Sequence, residues 1–225
     1  MAEKREKPVG IFSAHLEPIY QVWAWILLAW MLYRYFFKLP EWADEFIFKP
    51  IVFLGPVFWY VFKKEKKTPA SIGLTWKKFF PSLYMGLGFG LIFAVEGVLT
   101  HVLKYGTTDF YPVSAFNKYG YGLMIISLAT AFSEETLTRG FLFNRLHIKT
   151  RKFFVSAVVG AMLFLCLHVP ILVTSNKLQG MTLILFFATD IILSFANSML
   201  FVMTGSIVSP VLVHLFWNMT VALYL

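Results

Sequence analysis

Six polar side chains of the kind that move protons or bind oxyanions interrupt apolar stretches of this sequence. Glu134, Glu135 and Arg139 lie in one stretch, His168 in the next, and His214 with Asn218 in the last. An ionisable group well inside a membrane helix costs roughly 2.5–3.5 kcal/mol on insertion, so such groups point to a function. Helical rise places Glu134 roughly 16 Å from Arg145, His168 roughly 20 Å from Arg151 and Lys152, and His214 roughly 12 Å into its stretch. Asn218 follows His214 by one turn on the same face. The spacing therefore predicts one layer near mid-membrane, fed by three helices.

A carboxylate and an imidazole sharing a water can make it nucleophilic, with the carboxylate as general base. A second imidazole and an amide are what an oxyanion at a carbonyl needs. Together these describe hydrolysis of a peptide bond inside the bilayer. Glu134, His168 and His214 could instead hold zinc or another divalent metal, although HExxH is absent. GxSxG is absent too, and no Ser stands within helical reach of these His residues, which disfavours a serine protease. Glu135 and Arg139, at i and i+4, are read as an ion pair supporting the site. Glu135 points about 100° away from Glu134 around the helix, so it is not expected to orient a His. The expectation is a water-activating and oxyanion-stabilising set that requires no cofactor, with any metal weakly bound. Glu96, Asp190 and Asn197 are read as interhelical hydrogen-bonding groups.

The elements that must position these groups are helices. Of the 225 residues, 58% are hydrophobic and only 14% charged, with a mean hydropathy of +0.68. A soluble domain carries about 25% charged residues, so the composition excludes that class and disordered chains. The single Cys166 excludes a disulfide scaffold and reads as a small core residue. Seven stretches are long enough to span a bilayer: Ile19–Phe37, Phe46–Phe62, Phe79–Leu103, Tyr121–Leu146, Phe153–Val173, Met181–Met203 and Ser206–Leu225. The second is the weakest, broken by Lys49 and Pro50. The predicted fold is all-α: a polytopic membrane protein of seven to eight transmembrane helices with an intramembrane cavity. Residues 1–18 form a cytosolic N-terminal segment and 19–225 a single transmembrane domain. Gly86 and Gly90 read as a close helix-packing face.

The net charge of +8 comes from basic residues gathered between spans, which argues for membrane orientation and against nucleic acid. Loops on the N-terminal side hold 13 Lys and Arg, and those on the other side six: Arg34, Lys38, Lys49, Lys104, Lys118 and Lys177. The N-terminus is thereby assigned to the cytosol and the C-terminus to the outside.

The sequence EETLTRG, from Glu134 to Gly140, resembles the EExxxR motif of the CAAX protease and bacteriocin-processing family, also called Abi or type II CAAX prenyl endopeptidases. FLCLH, from Phe164 to His168, is similar to its FxxxH motif, and HLFWN, from His214 to Asn218, to its HxxxN motif. The resemblance covers residues 121–225. It implies about eight helices around a conical cavity open toward cytosol and lipid. It further implies Glu134 and His168 activating water, His214 and Asn218 holding the oxyanion, and Glu135, Arg139 and Phe164 in support. Thr138 departs from the pattern, standing where an aromatic commonly precedes the Arg.

The leading expectation is thus a glutamate-dependent intramembrane protease, often classed with metalloproteases, acting on a membrane-associated peptide or lipidated protein. A non-catalytic immunity or scaffold protein on the same fold is the alternative. A transporter with Glu96, Asp190 and Glu134 as a proton path is a third reading. The short chain favours a prokaryotic plasma membrane over a eukaryotic endoplasmic reticulum.

Overall fold

A computed structural model describes residues 8–106, 120–174 and 180–224. Seven long helical segments account for most of them, at the positions expected from the apolar stretches. They are α1 (Glu17–Phe36), α2 (Glu41–Lys64), α3 (Phe79–Tyr105), α4 (122–150), α5 (Phe153–Thr174), α6 (Met181–Thr204) and α7 (Val208–Tyr224). No strand occurs among the described residues. Among the described residues, four segments are long and apolar enough to cross a membrane: Glu41–Lys64, Phe79–Leu103, Phe153–Thr174 and Phe186–Thr204. Val208–Val221 is apolar but shorter. The protein is an integral membrane protein with four candidate crossings, against the seven to eight predicted. The difference has a physical cause: α1 carries Glu17, Gln21 and Arg34, and α4 carries the charges of the site, which lower their hydropathy.

Two helices depart from regular α geometry. In α2 the turns Asp44–Phe48 and Tyr60–Lys64 are π-helical, and the first gives way to an α segment that opens on Lys49 and on Pro50, which lacks an N–H. In α4 the π stretch Thr136–Phe143 follows directly on Glu135. Such wide turns re-aim side chains and recur at functional sites. Here the α4 stretch brings Gly140 so close to the Ile72 carbonyl that a Cβ would sit 2.5 Å from it. The predicted glycine face also forms: a Cβ on Gly86 would sit 2.9 Å from Leu212 of α7, and one on Gly90 would run into Phe216.

The bundle has two chemically different poles. At one, Val9 N–H bonds the Lys149 carbonyl at 3.0 Å, and Arg145 pairs with Glu65 at 2.6 Å. Ile207 N–H bonds the Gly73 carbonyl at 3.1 Å beside Gly205, whose φ of +69° ends α6. The lysines of 63–67 and 77–78, with Arg145, Lys149, Arg151 and Lys152, gather here. At the other pole, Arg34 pairs with Asp44 at 2.7 Å, and the Tyr33 hydroxyl donates to the same carboxylate. The aromatic core between them holds Trp30, Phe53, Phe141 and Phe164.

Candidate active site

The predicted residues come from three helices. Glu134 lies in α4 just before its π stretch, His168 two turns from the end of α5, and His214 with Asn218 either side of the middle of α7. All four line one cavity of about 350 Å³, together with Trp30, Glu45, Lys49, Thr130, Asp190 and Trp217. The layer expected from helical rise is therefore present, with its polar groups on a single void.

Each imidazole is held through one nitrogen. His214 Nδ1 donates to Glu135 Oε1 at 2.7 Å, which leaves Nε2 facing Glu134 Oε2 at 3.6 Å. His168 Nδ1 lies 3.2 Å from the Phe164 carbonyl, which can only accept, so Nδ1 carries the proton and Nε2 offers a lone pair. Asp190 Oδ2 is 3.7 Å from the same Nδ1, beyond hydrogen-bond range. Phe164 stands edge-on to both rings, with centroids 4.8 Å from His168 and 6.0 Å from His214. The Arg139 guanidinium covers its other side at 4.6 Å. This aromatic wall packs against both imidazoles. Asn218 Nδ2 makes only a 3.5 Å contact with the Ser127 carbonyl, so its amide is loosely held at the cavity.

Glu135 corrects the sequence reading. It pairs with Arg139 at 3.1 Å as expected, yet the same Oε1 also accepts from Asn197 at 3.0 Å and from His214. The 100° offset that turns it away from the cavity points it at the far side of the His214 ring. Asn197 forms the expected interhelical bond, also reaching the Pro210 carbonyl at 3.3 Å. Asp190 does not; it lines the cavity. Glu96 is exposed on α3 and does not line the cavity. Thr138 has a polar role, accepting from Arg139 Nη1 at 2.7 Å and donating to the Glu134 carbonyl at 2.6 Å.

Lys49 was missed. It is buried in α2, donates to Glu134 Oε1 at 3.1 Å, and pairs with Glu45 at 2.6 Å. Glu45 in turn accepts from Thr130 at 2.6 Å, and Trp30 offers its ring 5.7 Å from the ammonium. The signal for it is a lysine inside an apolar stretch with a carboxylate one turn before it.

Glu134, His168 and His214 do not fit a metal. Among the described residues no three His, Cys, Asp or Glu side chains are gathered as a metal-binding group. Lys49 also holds the Glu134 oxygen a cation would need.

Residues 117–220 match the family model described as type II CAAX prenyl endopeptidase Rce1-like. This stretch is similar to that family. It contains Glu134, Glu135, Arg139, Phe164, His168, His214 and Asn218, whereas Trp30, Glu45 and Lys49 lie outside it. No curated protein and no solved structure matches the chain.

Proposed function

We propose that the protein is an intramembrane endopeptidase of the CAAX-protease type, cleaving a membrane-associated peptide or lipidated protein. The observation that carries this reading is the meeting of Glu134, His168, His214 and Asn218, all within the stretch that matches the family model, on one cavity. A water between Glu134 Oε2 and His168 Nε2 gives its proton to Glu134 and attacks the scissile carbonyl carbon. The carbonyl oxygen becomes an oxyanion that accepts hydrogen bonds from Asn218 Nδ2 and from His214 Nε2. His214 can donate there when both ring nitrogens carry protons, because Glu135 accepts the one on Nδ1. Collapse of the tetrahedral intermediate breaks the C–N bond, and the departing amine takes its proton back from Glu134.

The test is cleavage of quenched fluorogenic peptides, with and without a prenylated C-terminal cysteine motif, by purified protein in detergent. Glu134→Ala and His168→Ala should each abolish cleavage while keeping the wild-type melting temperature. Full activity in either variant overturns the reading.

A further inference from the structure

The cavity and the basic loops lie at opposite poles of the bundle. Lining residues occupy the first half of α2 (Glu41, Glu45, Lys49), the first half of α4 (Thr130, Glu134) and the end of α5 (His168). They continue through the first half of α6 (Asp190) to the last turns of α7 (Asn218, Val221). Consecutive helices run in opposite directions, so these segments share one pole. The other pole is tied together by the Arg145–Glu65, Val9–Lys149 and Ile207–Gly73 contacts. That second pole carries the lysines of 63–67 and 77–78 and the basic end of α4.

Lys and Arg accumulate in cytoplasmic loops, where short loops set the orientation. The basic pole is then cytosolic. Lys49, one of the six basic residues counted for the opposite side, is buried within the cavity and is no loop charge, which widens the asymmetry. From this arrangement we infer that the cavity is entered from the extracytosolic face, the reverse of the cytosolic opening implied by the family resemblance. The inference rests on the catalytic reading of the cavity for its consequence, which concerns substrate class. The exposed carboxylate of Glu41 stands at the mouth, and Glu45, Glu134 and Asp190 follow inward with Lys49 as the counter-cation among them. Such a passage selects cationic peptide segments presented outside the cytosol, and it repels an anionic peptide end.

The experiment places single cysteines in a Cys166→Ala background and probes right-side-out bacterial spheroplasts with a membrane-impermeant maleimide. Glu41→Cys, at the mouth, should react in intact spheroplasts, and Lys67→Cys, in the basic loop, only after lysis. Labelling of Glu41→Cys only after lysis, or of both positions before it, overturns the inference. Purified wild-type protein is then given two quenched peptides of equal length, one flanked by Lys and Arg, the other by Asp and Glu. The cationic peptide should show a kcat/KM on the order of tenfold higher. Equal rates, or a faster anionic peptide, remove the claim on substrate charge. The labelling needs no activity, so the two readings fail separately. Cleavage of neither peptide with Glu41→Cys labelled from outside defeats the protease, whereas cleavage with Glu41→Cys labelled only after lysis defeats the entry side.

Discussion

Lys49 Nζ lies 3.1 Å from Glu134 Oε1, joining a helix outside the stretch that matches the family model to the carboxylate that activates water in the proposed mechanism. One oxygen of Glu134 is thereby fixed, and the other, Oε2, is left toward His214 and the cavity. Glu45, itself held by Thr130, anchors the ammonium from behind. A base whose free oxygen is aimed in advance needs no reorganisation at the moment of attack.

Replacing Lys49 should therefore act on turnover more than on binding. Misplacing a reacting group by about 1 Å can cost about 100-fold, and a loss of that order in kcat is expected for Lys49→Met. KM should stay within about threefold, since Lys49 acts through Glu134 and not through a direct contact with the peptide. Lys49→Arg keeps a cation between the two carboxylates and should recover most of the rate. Steady-state kinetics on the three proteins decide it. A Met variant with wild-type kcat, or an Arg variant as slow as Met, would remove Lys49 from the mechanism.

Glu135 has two duties that different substitutions separate. Glu135→Ala leaves Arg139 without its buried carboxylate, and breaking such a pair costs roughly 3–5 kcal/mol. A clear fall in melting temperature is expected. Glu135→Gln keeps an oxygen acceptor for His214 and Asn197 and should be far less destabilised. It loses the negative charge behind the His214 ring, so its kcat should drop by on the order of 100-fold with the fold retained. If Glu135→Gln turns over at the wild-type rate, the contact with His214 is purely structural.

The sequence exposed the polar layer because polar residues are conspicuous in apolar helices and helical rise is regular. Glu134, His168, His214 and Asn218 could be set at one depth by counting alone. What counting could not supply was direction across the bundle. The role of Glu135 depends on which neighbour its offset side chain meets, and that neighbour is His214 of α7, 79 residues away. Lys49 was hidden for a related reason: a π turn ahead of Pro50 rotates it inward, and no 3.6-residue period anticipates that. The entry side was equally out of reach. The charge tally orients the helices, but only the packed bundle shows at which pole the lining residues converge.

The glycines of α3 give a test of packing that is independent of chemistry. Gly88 has nothing within 4 Å of a built Cβ, so Gly88→Ala should be neutral or stabilise by about 0.5–1 kcal/mol through helix propensity. Two residues away, a Cβ on Gly86 would stand 2.9 Å from Leu212 and 3.0 Å from the Ser209 backbone. Overpacking of that kind costs about 1–3 kcal/mol, which exceeds the propensity gain. Gly86→Ala should lower the melting temperature and Gly88→Ala should not. Equal melting temperatures would mean that α3 and α7 do not approach as closely as described.

Metal removal separates the proposed mechanism from metal-assisted hydrolysis. A catalytic zinc takes about three protein ligands and keeps one open position for water. The groups that could serve, Glu134, His168 and His214, are not gathered for it, and Glu134 Oε1 is held by the Lys49 ammonium, which would repel a divalent cation. The Glu135 contact does resemble the carboxylate that commonly orients a zinc-bound His. It equally suits a His that donates from Nε2 to an oxyanion, and the position of Lys49 beside Glu134 favours the second. Protein stripped with a strong chelator and assayed in metal-free buffer should keep its rate to within about twofold, since every proton transfer runs between Glu134, water and the leaving amine. A loss of activity that returns in proportion to one bound zinc per chain would overturn this mechanism and require Lys49 to move away from Glu134.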